Sequence, residues 1–348
     1  MRLARDHRLD LDWLTLAAWT YVSDSVWEPL APPETDTGAD LTTAADALVE
    51  LLSALARRQH EHRSRTVSRL TAVLDADLLP TELQEMALYY RAKALRDTGR
   101  AAQSRRDYQQ VANQGGRLAP AARRGLAHAA RLAGDFPTAL AAAQNLGWEG
   151  RHQRVSGDLY WLQGQPERAA AAYLAGRTEA EQHGKAGEAA HSQALRAFAI
   201  ALYAPDQANA EIDLAHQLLA GLNLRATTIN VRRAELIRDA GGVDDQIATL
   251  RTELDIAGLA SLTPAIELAR AFHQAVLDDH TALHATLARL RELTSDEDHA
   301  YFVDIAQFMA DLPLDQASGA RWLDSEQRTR NRWRGLVIAR QAHLHAGQ

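Results

Sequence analysis

The stretch Leu159–Gly176, LYWLQGQPERAAAAYLAG, decides the reading of this chain. Two helix-like runs meet at Gly164, where a glycine closes a helix because it enters the left-handed region without a Cβ clash. Pro166 suits the first turn of the next helix. Ala169 to Ala172 let that helix lie close against the first, and Tyr173 fills the gap one turn later.

The same grammar stands upstream. LYYRAKALRDTGRAAQSRRDYQQVA has Gly99, then Ser104, then Tyr108, and LAHAARLAGDFPTALAAAQNL has Gly134, then Ala139, then Ala143. The glycines at 99, 134 and 164 are 35 and 30 residues apart, a spacing that marks a solenoid of helical pairs. This small-then-aromatic pattern, with Gly157 and Tyr160 in the preceding helix, resembles the tetratricopeptide repeat (TPR) family.

Beyond residue 186 the period loosens. The pattern predicts helices at 187–204, 207–220, 226–239, 243–257, 264–277, 280–293 and 297–311, separated by YAPDQ, DAGGVDD, AGLASLTP, LDDHT and LTSDED. Start signals are read at Thr263 before Pro264, at Ser295 with Asp298, and at Thr81 with Gln84, the last two as capping boxes. No period-two runs rich in Val, Ile and Thr occur, so no sheet is expected. The expected fold is therefore all-α: a right-handed α-solenoid of stacked helix-turn-helix, TPR-like repeats with helical caps at both ends.

Residues 1–80 lack the glycine punctuation and read as a helical N-terminal cap. LDWLTLAAWTYVSDSV is one helix and WEPLAPPETDTGAD a Pro-rich loop. LTTAADALVELLSALARR is amphipathic, with Leu48, Leu51, Leu52 and Leu55 on one face, and a further helix at about 65–76 leads to Pro80. Repeats are expected over 81–312, and 313–348 as a C-terminal capping helix with Trp322, Trp333, Leu336, Val337 and Arg340 at helical spacing. Between Arg321 and Arg340 that segment holds six arginines against Asp324 and Glu326, either a solvated cap or a basic docking face.

Composition narrows the function. The chain has 348 residues, 46% of them hydrophobic and 24% charged, and its net charge of -7 opposes a globally basic nucleic-acid binder. It has no cysteine, hence no disulfide, no thiol chemistry and no Cys-held zinc, in keeping with a reducing, cytoplasmic location. MRLARDHRLDLDWL has no secretory h-region, and no apolar window is long enough for a membrane partner to be expected.

Catalytic motifs fail. HGKAG at 183–187 lacks the spacing and hydroxyl of a phosphate-binding loop, and no G-x-G-x-x-G, G-x-S-x-G or H-E-x-x-H occurs. His60 and His62 point to different sides of a helix. His280 and His284, beside Asp278 and Asp279, read as an exposed helix start, and His343 and His345 as solvent-facing. No enzyme activity, metal or cofactor is expected.

In TPR-like arrays the first helix of each pair lines the concave surface. Placed from the closing glycines, the inward positions are Met86, Tyr89, Lys93 and Arg96, then Ala121, Arg124, His128 and Arg131, then Arg151, Arg154, Asp158 and Trp161. Six of these twelve are Arg or Lys and one is a carboxylate, a local reversal of sign. Such a face attracts an acidic protein or peptide, with bidentate contacts from arginine and flat anchor surface from Tyr89 and Trp161; the bland alternative is a solvated face whose arginine stems cover alanine. Some TPR proteins clamp a terminal carboxylate with Lys, Asn and Arg. The clamp asparagines have no counterpart here, so the resemblance implies the groove and not that specificity. Residues 81–312 also look like the C-terminal sensor arms of STAND-type signalling ATPases, which implies a sensor or scaffold role in signalling or regulation. A second expectation is a TPR-type peptide-responsive transcriptional regulator, set back by the lack of helix-turn-helix spacing in residues 1–75.

Overall fold

A computed structural model describes residues 41–239, 243–294, 298–314 and 322–346. The N-terminal helix and Pro-rich loop expected before residue 41, the cap at Ser295, and Arg321 lie outside the described residues. Among the described residues the chain is all-α, with sixteen α-helices, two short 3-10 turns and no strand. None of these helices is long and apolar enough to cross a membrane.

The helices are α1 Ala44–Arg57, α2 Arg63–Ala76, α3 Thr81–Asp97, α4 Ala101–Gln114, α5 Ala119–Leu132, α6 Phe136–Asn145, α7 His152–Leu162 and α8 Pro166–Gln182. They continue as α9 Ala186–Tyr203, α10 Pro205–Leu219, α11 Arg225–Arg238, α12 Asp244–Ala257, α13 Thr263–Val276, α14 His280–Leu293, α15 Tyr301–Met309 and α16 Glu326–Ala346. Between residues 41 and 311 the described helices lie within a few residues of their expected ends, whereas the C-terminal helix expected over 313–348 begins only at Glu326.

One turn motif recurs. At Gly99, Gly134 and Gly164 the residue takes φ of +81°, +78° and +69°, as expected of helix-closing glycines. Each donates its N–H to the carbonyl three residues back, and the next residue donates to the carbonyl five back, the paired bonds of a Schellman turn. The same pair of bonds closes α8 at Gly184, α13 at Asp278 and α15 at Asp311, the two aspartates at φ +58° and +56°. Asp tolerates the left-handed region better than most residues, so the motif persists where the glycine period is lost. Two start signals are corrected. Thr81 and Thr263 are the first helical residues, behind Pro80 and Leu262, and neither helix has a side-chain cap. Gln84 reaches Asp77 and the Leu79 carbonyl instead.

The chain forms two compact units: residues up to Leu126 with Ile256–Ala260, and residues Ala127–Asp255 with Ser261 onward. This division runs through α5 and α12. In the first unit α1, α2, α3 and α4 pack consecutively. Their core holds Leu48, Leu51, Leu55, Leu70, Leu83 and Met86, and Tyr108 on α4 lies against Gly125, where a Cβ would come within 2.6 Å of the ring. The second unit adds the signature of a repeat stack. Second helices touch the next first helix (α8 with α9, α10 with α11), and first helices touch each other (α9 with α11, α11 with α13). In the opening stretch Ala169, Ala170 and Ala172 are buried, and Tyr173 sits on Gly157, where a Cβ would lie 2.6 Å from the ring. That contact is why a glycine occupies the middle of α7 despite its helix penalty.

Helix α16 packs against α9, α13 and α15. It runs past the C-terminal ends of four first helices. Trp333 Nε1 donates to Leu162 O of α7 at 2.9 Å, and Arg340 to Ala201 O of α9 and to Ile237 O of α11 at 2.6 Å. Gln341 reaches Ala275 O of α13 at 3.4 Å. The last carbonyls of a helix have no intrahelical donor and carry partial negative charge, so cationic and N–H donors there are favourable. Gly164 is held to glycine by this contact as well: a Cβ would meet Arg332 Cβ at 2.8 Å. Several arginines of this segment are engaged within the fold, while Arg328 and Arg334 stay largely exposed. Arg330 bonds Leu312 O and Glu326, Arg332 bonds Gln163 O and Asp324, and Arg334 pairs with Asp311.

Candidate functional site

In the first unit, Tyr89, Lys93 and Arg96 fall on one face of α3 through their four- and three-residue spacing. Tyr89 and Tyr90 are buried and meet edge to face at 5.1 Å. Lys93 Nζ stands 5.8 Å from the Tyr89 ring and 5.3 Å from the Tyr90 ring, and the Arg58 guanidinium 5.4 Å from Tyr90. Arg124 hydrogen-bonds the Tyr89 side chain. The carboxylate that Lys93 feels is Asp97, already engaged by Arg96 at 2.7 Å and Arg63 at 3.4 Å.

The electrostatics follow from that arrangement. Burial pushes the Lys93 pKa down, Arg58 and Arg96 push the same way, and Tyr89 with Asp97 only partly restores it. Burial alone would raise Tyr89, but the charges of Lys93, Arg124 and Arg96 outweigh it and leave the phenol below its ordinary value. Tyr108 goes the other way, pushed up mainly by burial.

In the second unit the expected groove residues carry their own counter-charges. Arg131 pairs with Asp158 and contacts His128 Nδ1 at 2.7 Å, and Tyr173 donates to Asp158 Oδ1 at 2.5 Å. Arg154 is bonded to both Glu188 oxygens at 2.9 and 3.0 Å, and Arg151 approaches the same carboxylate at 3.4 Å. Arg151 also lies 3.9 Å over the Trp148 ring, which stacks on His183. Asp158 and Trp161 are buried rather than displayed. Trp161 meets Phe198 edge to face at 5.1 Å, with Trp333 and Phe302 beside it.

The expected basic excess is therefore corrected for this unit. The count took carboxylates from the positions of three first helices alone, whereas Glu188 comes from the first turn of α9. Of the ten predicted residues, the structure gathers Tyr89, Lys93, Arg96 and Arg124 in one cluster. It commits Arg131, Arg151, Arg154 and Asp158 to ion pairs, His128 to Arg131, and Trp161 to the core.

Sequence reasoning missed Arg233 on α11. It lies 3.6 Å over the Phe198 ring and 5.4 Å from Trp161. Its signal was periodicity: Ile229, Arg233 and Ile237 share one stripe, so a charge stands where the pattern demands an apolar side chain. A surface cleft of about 310 Å³ between α11 and α12 is lined by Arg232, Glu235, Arg238 and Asp239, charges of both signs. Among the described residues no group of three or more His, Asp or Glu is placed to hold a metal ion. No protein-family model, curated protein or solved structure matches this chain.

Proposed function

We propose that the chain is a non-catalytic, TPR-like binding module, a sensor or scaffold in signalling or regulation, that recognises an acidic protein or peptide through the α3 face of its first unit. One observation carries the reading: Lys93 and Arg58 lie over two buried tyrosines, and the carboxylate that Lys93 feels is spent on Arg96 and Arg63. A desolvated ammonium over aromatic faces is ready for an incoming carboxylate or phosphorylated side chain. The helical stack fits the sensor-arm role that the sequence suggested.

The test is an array of acidic peptides, with and without phosphorylated side chains, probed with the wild-type chain and with Lys93→Glu at several salt concentrations. The proposal expects a subset of peptides to be retained, retention to fall with salt, and Lys93→Glu to lose that subset while keeping its helical circular dichroism. Retention of the same peptides by the variant, or of none by the wild type, overturns it.

A further inference from the structure

Four arginines among the described residues are more than nine-tenths buried: Arg63, Arg69, Arg233 and Arg340. Three have oxygen partners. Arg69 bridges Glu50 at 2.7 Å and Glu61 at 3.3 Å, and Arg63 holds Gln59 at 2.8 Å and Asp97 at 3.4 Å. Arg340 is cradled by the carbonyls of Ile237, Arg238 and Ala201.

Arg233 differs. It is 7% exposed, its contacts are the rings of Phe198 and Trp161, and its Nε–H is buried with no acceptor. The ionisable groups it feels are the phenols of Tyr173 and Tyr301, and burial pushes both further from ionisation. Loss of solvent lowers the Arg233 pKa to about 10, still charged at neutral pH. Its surroundings are built, not incidental: Tyr173 is fixed by Asp158, and the Tyr301 hydroxyl lies 3.1 Å from His299 Nδ1. The neighbouring His299 imidazole is held neutral, its pKa pressed by burial, and then by Arg131 and Arg233, to about 3.

A charged guanidinium that is 7% exposed, with its Nε–H buried and given no acceptor, is costly for a fold to hold. With Phe198 covering a face, what it has left to offer is its N–H edge, and the Nε–Nη side of that edge matches two oxygens of one planar or tetrahedral oxyanion. We propose that Arg233 anchors an internal oxyanion site in the second unit, walled by Phe198, Trp161, Tyr173 and Tyr301, that takes one carboxylate or phosphate group of a small ligand or peptide end. This site is separate from the α3 face and stands or falls without it.

The experiment titrates the full chain with sodium phosphate and, separately, sodium acetate, chloride keeping the ionic strength constant. Tryptophan fluorescence and melting temperature are read together, since Trp161 sits beside the guanidinium. A saturable response to either anion supports the site, and whichever binds tighter names the ligand's head group. Arg233→Met, close in length and uncharged, is expected to abolish the response, and Arg233→Lys to weaken it about tenfold, the effect of losing one charge-assisted hydrogen bond. Should Arg233→Met fail to fold, the wild-type Arg233 Nε–H nitrogen resonance decides: a shift with the fluorescence midpoint supports the site, and a static resonance overturns it. Absence of a saturable response to both anions, or a wild-type midpoint in folded Arg233→Met, also overturns it.

Discussion

Two clusters, one in each unit, use positive charge in opposite ways. In the second, Arg340 of α16 ends on the carbonyls of α9 and α11, Arg154 on Glu188 and Arg131 on Asp158, with Arg233 the exception. In the first, Lys93 lies over the tyrosine rings beside Asp97, a carboxylate already shared by Arg96 and Arg63, while Arg58 lies over Tyr90 and donates to the Leu55 carbonyl. Charge paired inside the fold is already committed, whereas charge over aromatic faces without a strong counter-ion is what the proposed partner would meet. The contrast is between the ion-paired face of α7 and α9 and the α3 face proposed to receive a partner.

The sharpest way to break this contrast is at Trp333. Its ring fills a site that is 1% exposed beside Trp161, and its indole N–H caps α7. Trp333→Ala is expected to destabilise the second unit by about 4 kcal/mol, from lost burial, an unfilled cavity and an orphaned carbonyl. Urea unfolding followed by circular dichroism measures it. A loss below about 1 kcal/mol would mean that α16 is a loose appendage and not a clasp.

Acid separates the units next. His273, in the second unit, is buried against the Leu236 carbonyl, and loss of solvent holds its pKa at about 4 although that bond and nearby carboxylates oppose the shift. Between pH 6.5 and about 4 the unfolded chain therefore binds a proton that the folded chain refuses, so stability is fully present above 6.5 and falls as pH drops through that window. The expected loss is about 3 kcal/mol for this group, and His273→Gln should flatten the slope. A pH-independent midpoint of urea unfolding between pH 7 and 4.5 would place His273 in contact with water.

Gly99 and Gly164 compare the units at one backbone position. Both sit in the same left-handed turn, but a Cβ at Gly99 meets nothing within 4 Å, whereas at Gly164 it runs into Arg332 and Trp333. Gly99→Ala should cost about 1 kcal/mol, the price of a left-handed alanine, and Gly164→Ala about 3 kcal/mol, because the C-terminal helix must also move. Equal costs would mean that α16 gives way at this contact without strain.

These glycines also mark where the sequence was legible. The Schellman turns at 99, 134 and 164 could be read because glycine takes the left-handed position and a small residue follows at helical spacing, with an aromatic one turn later after Gly99 and Gly164. The turns at Asp278 and Asp311 use the same bonds with another residue, and α9 passes to α10 through Ala204 and Pro205 with no left-handed residue at all. A period carried by hydrogen bonds can outlast one carried by residue type. The α3 part of the cluster was legible because Tyr89, Lys93 and Arg96 are neighbours on one helix, whereas Arg58 comes from the end of α1 and was not read. The pairing of Arg151 and Arg154 with Glu188 was not, since it joins residues more than thirty positions apart. Nor was the path of α16, whose contacts with Leu162 and Ala201 span more than a hundred. Arg233 could have been found, had the break in its apolar stripe been weighed as a signal.

The smallest expected effect bears on the α3 face itself. Lys93 is a cation whose folded pKa lies below its ordinary value, so the folded chain holds less of that proton than the unfolded chain as pH approaches 10.5, and stability should rise with pH through that window. Removing the charge with Lys93→Met relieves its repulsion with Arg58 and Arg96 and keeps the stem over the tyrosines. The variant should be as stable as the wild type at pH 7 or more stable by up to about 1 kcal/mol, with the alkaline rise flattened. An acidic peptide retained by the wild type should bind it about tenfold more weakly. Stability and binding then move in opposite directions, which a residue kept only for packing cannot produce: such a residue would lose stability on substitution and leave binding to follow.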